Sequence, residues 1–153
     1  MRQYSFFNVD FLIDGQEVTG FHDSAGIISA TRNTGQHGSI IGARGEMIVT
    51  TSADKSGTFT FNLLQTSDWN SVLNSRAILT HNTGLSGNKS LFVPMQLAIN
   101  DKMGGVLVTG MNGYVPVRPA VVRGTGITTI AWTVVVEQIN FVEGGYDQIS
   151  NAT

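Results

Sequence analysis

The chain contains no cysteine. Disulfides and thiolate metal sites are therefore excluded. Charge is scarce as well. Asp, Glu, Lys and Arg make up 13% of the 153 residues, about half the roughly 25% of an ordinary globular chain. The 9 basic residues lie singly along the chain and the net charge is -2, so no basic stripe exists to hold a phosphate backbone. No apolar run approaches the roughly 18 residues of a membrane helix. No charged segment followed by an apolar stretch opens the chain, so neither a membrane span nor a secretion signal is expected. A free monomer stays soluble through surface charge. A chain this poor in charge points to a surface covered by copies of itself, or else to a Thr- and Asn-rich soluble β domain. Composition leaves both open.

Glycine, by contrast, is plentiful, at 18 of 153 residues. The length suits a single domain spanning residues 1–153. The most ordered pattern lies at 53–77, ADKSGTFTFNLLQTSDWNSVLNSRA. Asp54, Lys55, Ser56 and Gly57 supply turn chemistry. Phe59, Phe61 and Leu63 then alternate with Thr58, Thr60 and Asn62, the period of a strand with one buried face. Thr66, Ser67 and Asp68 are N-cap candidates. Trp69, Val72, Leu73 and Ala77 follow at helical spacing. A sheet with one helix against it is predicted.

Elsewhere the pattern is β. A strand is expected over 4–13, with Phe7, Val9, Phe11 and Ile13 on one face, then an Asp14-Gly15 turn and a return over 16–21. Residues 22–46 are loose and glycine-rich, longer than structureless loops usually run. The pairs Ile27-Ile28 and Ile40-Ile41 flank a centre at 33–38. A projecting hairpin arm over 22–46 is predicted, its tip at 34–38, with isoleucines that want cover from a neighbour; the alternative is an arm that folds back on its own core. The residues expected to meet that neighbour are Ile27, Ile28, Arg32, His37, Ile40, Ile41 and Arg44. A short strand follows at 47–51. After the helix, 80–89 reads as a polar loop. Strands are expected at 91–100, where Pro94 argues for an edge or a strand start, at 106–111, and at 127–142. In the last, Ile130, Trp132, Val134 and Val136 share a face, and the phase then switches to Ile139 and Phe141. A bulge, or a change of sheet, near Glu137-Gln138 would do this. Residues 112–126 read as loop and 143–153 as a flexible tail. The sum is a mainly β protomer, a β-sandwich or β-barrel with one short helix.

No set of residues carries catalytic chemistry. His22-Asp23-Ser24 has the residue types of a triad, but a triad assembles in space, not from adjacent positions. His37 and His81 lack partners at metal-ligand spacing. Gly124-Thr125-Gly126 lacks a third glycine and precedes a strand, unlike a dinucleotide loop. No cofactor, metal or enzyme activity is expected.

Three stretches bring a resemblance: YSFFNVDFLIDG at the start, IIGARGE before a strand, and above all ADKSGTFTFNLLQTSDWNSVL. Together they resemble the small tail tube proteins of contractile-tailed bacteriophages. The strand over 91–99 and the Trp132 strand match that family more loosely. Arg44 departs from it, standing where an acidic residue is frequent. The resemblance implies hexameric rings that stack into a hollow tube and an arm that bridges to adjacent protomers or the adjacent ring. It implies partners too: other copies, a sheath outside, baseplate and tail-terminator proteins, and a tape-measure protein and DNA in the lumen, DNA passing without specific binding. The implied place is the virion tail, with assembly in the host cytoplasm. Candidate lumen residues are Thr58, Thr60, Asn62, Gln96, Asn100, Thr133 and Glu137. A tube of a phage-derived bacteriocin or secretion system shares the same protomer physics. A ligand-binding β domain is the reading from another class; it would want exposed aromatics in a row, and aromatics are 8% of the chain.

Overall fold

A computed structural model of the chain describes residues 5–23, 27–86, 94–102 and 104–142. The predicted tail at 143–153, Ser24 of the triad-like run, and Leu91 and Val93 of the expected strand lie outside the described residues. The elements are β1 (Val9–Ile13), β2 (Gln16–Glu17), β3 (Ile28–Arg32), β4 (His37–Ile41), β5 (Met47–Thr51), β6 (Gly57–Leu64), α1 (Trp69–Ser86), β7 (Met95–Asp101), β8 (Val106–Tyr114) and β9 (Thr129–Val142). Seven strands form one antiparallel sheet in the order β2-β1-β7-β8-β9-β6-β3, and β4 and β5 pair apart from it. The fold is therefore mainly β.

The alternation in β6 is what anchors the sheet. Phe59, Phe61 and Leu63 are wholly buried, while the residues between them are half-buried on the other face. β6 pairs with β9 from Gly57↔Val136 to Leu64↔Thr129, which places Trp132, Val134 and Val136 in the same core. The sheet then curls. β1 and β6 stand four strand spacings apart, about 19 Å if the sheet were flat. The rings of Phe11 and Phe61 nevertheless lie 4.9 Å apart. Residues 18–22 lace the two margins together. The Val18 N–H donates to Phe11 O (2.8 Å), the Leu64 N–H to Gly20 O (2.8 Å), and the His22 N–H to Asn62 O (3.2 Å). Gly20 is required at this crossing. Its φ is +87°, and a Cβ there would lie 2.6 Å from Ser67 Cβ.

α1 packs onto the curl through Trp69, Leu73 and Ala77. The Ser67 hydroxyl accepts from the Trp69 N–H and donates to Thr19 O. Asn70 ties the helix to the sheet, donating to Leu64 O and accepting from Trp132 Nε1. The predicted stripe was one residue too wide, since Val72 is 44% exposed. The helix also runs on to Ser86, through what reads as a loop from Thr80. No proline interrupts that stretch, and a helix once nucleated extends through middling formers.

The phase switch in β9 is present: Val136 and Ile139 are both buried, with exposed Glu137 and half-buried Gln138 between them. β8 switches at the same level. The register with β7 slips between Met95 and Leu97, and Asn112 takes φ +57°, a left-handed conformation that Asn tolerates. Asn112 Nδ2 donates to Glu137 Oε2 at 2.8 Å and joins the two irregularities. β8 thus continues to Tyr114 through residues that read as loop. Two further corrections fall at the start. The first strand begins at Val9, after a 3-10 turn at Phe6–Asn8, and Phe7 is 97% exposed rather than part of the buried face. β2 is only two residues long.

Candidate functional site: the hairpin arm

Chain pairing moves the arm from its predicted place. β3 belongs to the main sheet, with Ile28 opposite Phe61 and Arg32 opposite Gly57. The projecting hairpin is β4–β5, residues 37–51, with His37↔Thr51, Ile40↔Ile48 and Ile41↔Met47. Its tip is at 42–46, not 34–38. There the Gly42 N–H donates to Glu46 O, the Gly45 N–H donates to Gly42 O, and Gly45 has φ +88°. The two Ile-Ile pairs of the sequence therefore do not face each other. Ile27 and Ile28 are half-buried at the edge of the body, and Ile28 packs against its core. Arg32 is half-buried over the Phe141 ring, 5.7 Å from its centroid. His37, Ile40, Ile41 and Arg44 do lie on the arm, all exposed.

Paired residues of an antiparallel hairpin share a face, and faces alternate along each strand. One face carries Ile40 and Ile48; the other carries Ile41, Met47 and Val49. Each of these side chains is between 61% and 66% exposed. Both faces are thus apolar and neither rests on the protomer.

The root of the arm is polar and tightly tied. The Asn33 N–H donates to Ser56 O (3.1 Å) and Asn33 Nδ2 to Ser56 Oγ (3.0 Å). The Thr58 hydroxyl donates to Asn33 Oδ1 (2.6 Å), the Thr34 hydroxyl to Asp54 Oδ2 (2.5 Å), and the Ser56 N–H to Asp54 Oδ1 (2.9 Å). The Thr34 hydroxyl, followed by the Ser56 hydroxyl and N–H, lowers the Asp54 carboxyl from 3.8 to about 2. Turn chemistry at 54–57 is legible in the sequence; its partners at 33 and 34, remote along the same chain, are not.

Of the candidate lumen residues, the structure brings four together. Thr58, Thr60 and Asn62 share the outer face of β6, and Thr133 stands opposite Thr60 on β9. Ser29 and Thr31 of β3 extend the same patch, giving a face of small uncharged polar groups. Gln96 and Asn100 sit apart on β7, and Glu137 is engaged by Asn112. A second exposed apolar region lies in the stretch that reads only as loop. Residues 115–128 connect β8 to β9 and leave Val117, Val121, Val122 and Ile127 between 59% and 84% exposed. Among the described residues, no group of three metal-ligating side chains converges and no helix is long and apolar enough to cross a membrane.

The fold is thus a curled sheet that leaves a doubly apolar hairpin uncovered, and comparison with known proteins shows its family. Residues 1–144 match the family model described as bacteriophage PhiTE tail tube protein. The chain belongs to that family, which is one of structural tail proteins, not of enzymes. Solved structures that share the fold include these two. One is the anti-feeding prophage cap, described as the AFP tube terminating cap, with TM-score 0.51 and 10% identity over 93% of each chain. The other is the PVC sheath/tube terminator of an extracellular contractile injection system in its extended state, with TM-score 0.52 and 8% identity over 93% of this chain and 98% of that one. A search of curated protein sequences returned no match.

Proposed function

We propose that the chain is the subunit of the inner tube of a contractile phage tail. Copies form hexameric rings, the rings stack, and the tube conducts the tape-measure protein and then DNA. One observation carries this reading: the arm is apolar on both faces and rests on nothing of its own protomer. A lone hairpin is marginal in water, and large exposed apolar patches mark contact sites. Neighbouring copies on either side would cover both faces at once. Contacts between identical rings do not close, which is how a filament grows. The uncharged patch of Thr58, Thr60, Asn62 and Thr133 suits a lumen wall past which phosphates slide. A sheath outside and terminator and baseplate proteins at the ends complete the set of partners, and the product resides in the virion tail after assembly in the host cytoplasm.

The likeness to a tube terminating cap and a sheath/tube terminator favours a second reading, a subunit that forms one closing ring at the tube end. Electron microscopy of the concentrated purified chain separates the two. Long hollow tubes are expected. Single rings that never stack would select the terminator, and a persistent monomer would remove both.

A further inference from the structure

The proposed tube leaves open where the arm goes. We propose that the arm tip of one copy docks into the cleft between α1 and residues 115–128 of a second copy, with Glu46 paired to Arg123; this rests on the assembly reading above.

The cleft has a volume of about 460 Å³. Asn70 and Asn74 of α1 form one wall, Arg118, Val121 and Arg123 the other, and Trp132 lies at its base. Its only formal charges are the two guanidinium groups. Arg118 donates to Asn74 Oδ1 and Arg123 to the neighbouring Val122 O; neither has a carboxylate partner among the described residues. Val121 beside them is 84% exposed. The cleft therefore offers apolar contact and unneutralised positive charge together.

The arm tip offers the complement. Its apolar pairs surround a turn whose one carboxylate, Glu46, has no ion-pair partner among the described residues. Gly42 makes room for it: a Cβ at that position would lie 2.4 Å from Glu46 Oε1. The carboxylate thus lies over the turn.

The two surfaces lie at opposite ends of β6. The arm is rooted beside Gly57, and the cleft lies level with Phe61 and Leu63, whose partners Trp132 and Ile130 line it, a separation of about 13–20 Å along the strand. The arm's exposure shows that it does not fold back into its own cleft. Contact between two different surfaces on opposite ends is head-to-tail, so it repeats from copy to copy.

Charge reversal and cross-linking test this. Glu46→Arg and Arg123→Glu should each lower the assembled fraction at least about tenfold, since like charges then face each other. The double variant should recover most of it. Arg44→Glu adds a second carboxylate at the tip and should promote assembly. Because the chain has no cysteine, mixing full-length Ile48→Cys with Val121→Cys allows one heterologous disulfide between copies. Tubes without that cross-link, or a double variant no better than either single one, overturn the docking and leave the tube standing. A cross-link without tubes supports the docking and removes the tube. Monomers with no cross-link end both.

Discussion

β5 and β6 are neighbours in the chain, joined by residues 52–56, and both are antiparallel strands rich in β-formers. Their fates are opposite. In β6 every second residue is apolar, and Phe59, Phe61 and Leu63 vanish into the core. In the hairpin of β4 and β5 the apolar residues run consecutively, Ile40-Ile41 and Met47-Ile48-Val49, so both faces are apolar and all of it is exposed. Alternation marks a strand that its own domain half-covers. Consecutive apolar residues on a detached hairpin mark a strand to be covered on both sides by others. One rule separates the part of the molecule that holds its core from the part that its own body leaves uncovered.

The largest test of that division is truncation on each side of it. Phe61→Ala should cost about 3–5 kcal/mol, whereas Ile48→Ala should change protomer stability by no more than about 0.5 kcal/mol. Denaturant titration of unassembled protein reads both, and a large loss at Ile48 would mean that the arm rests on its own body. The isoleucine pairs sharpen the point. Ile28→Asp places a carboxylate against the core and should cost about 1–3 kcal/mol. Ile40→Asp should leave melting unchanged and block assembly. Equal melting losses at the two would erase the boundary drawn between β3 and the arm.

Smaller in effect, and confined to the body, is Gly110→Ala. A Cβ there would lie 2.6 Å from Phe59 Cε2 and 2.9 Å from Val136 Cγ1. Overpacking of about 1–3 kcal/mol is expected by denaturant titration. Gly35→Ala, where nothing lies within 4 Å, should be close to neutral. Similar values for both would show that the curl of the sheet can relax around β8.

What the sequence made legible follows the same division. The β6 alternation, the Trp69–Leu73–Ala77 stripe and the 136-to-139 switch were readable because burial imposes a period on them. The arm's limits were not. Ile28, Ala30 and Arg32 form too short a run to announce a body strand, and its place is set by pairing with Phe61 and Phe59 far along the chain. Gly42 and Gly45 did carry a turn signal within IIGARGE, but the symmetry of the two isoleucine pairs pointed elsewhere. Asn112 reads as a turn residue because Asn tolerates the left-handed conformation that usually ends a strand; only the unbroken register with β9, Met111↔Gln138 and Gly113↔Val136, shows that the strand continues. The cleft was invisible, since α1 and residues 115–128 are remote in the chain and only the fold brings them together, with Arg118 donating to Asn74 Oδ1.

The smallest expected effect concerns the junction of the two regions. Asp54 is exposed, and its carboxylate accepts from Thr34 and Ser56 at the arm root. Those bonds favour the charged form and hold its pKa at about 2, below the ordinary 3.8. A carboxyl depressed on folding stabilises the folded state above its unfolded pKa, and that contribution disappears as pH falls through its folded value. The root should therefore be fully tied above about pH 4 and loosen only as pH approaches about 2. Carboxyl chemical shifts followed by NMR should place the Asp54 midpoint near 2, with the Ser56 amide shifting in step. Asp54→Asn removes the charge at nearly constant size. It should speed hydrogen exchange at the Ser56 N–H at neutral pH and leave the Phe61 amide protected, because the tie fixes the arm and not the core. A midpoint near 3.8 would mean that the Thr34 and Ser56 bonds do not hold the carboxylate in solution. Loss of protection at Phe61 in Asp54→Asn would mean that arm and body unfold as one unit.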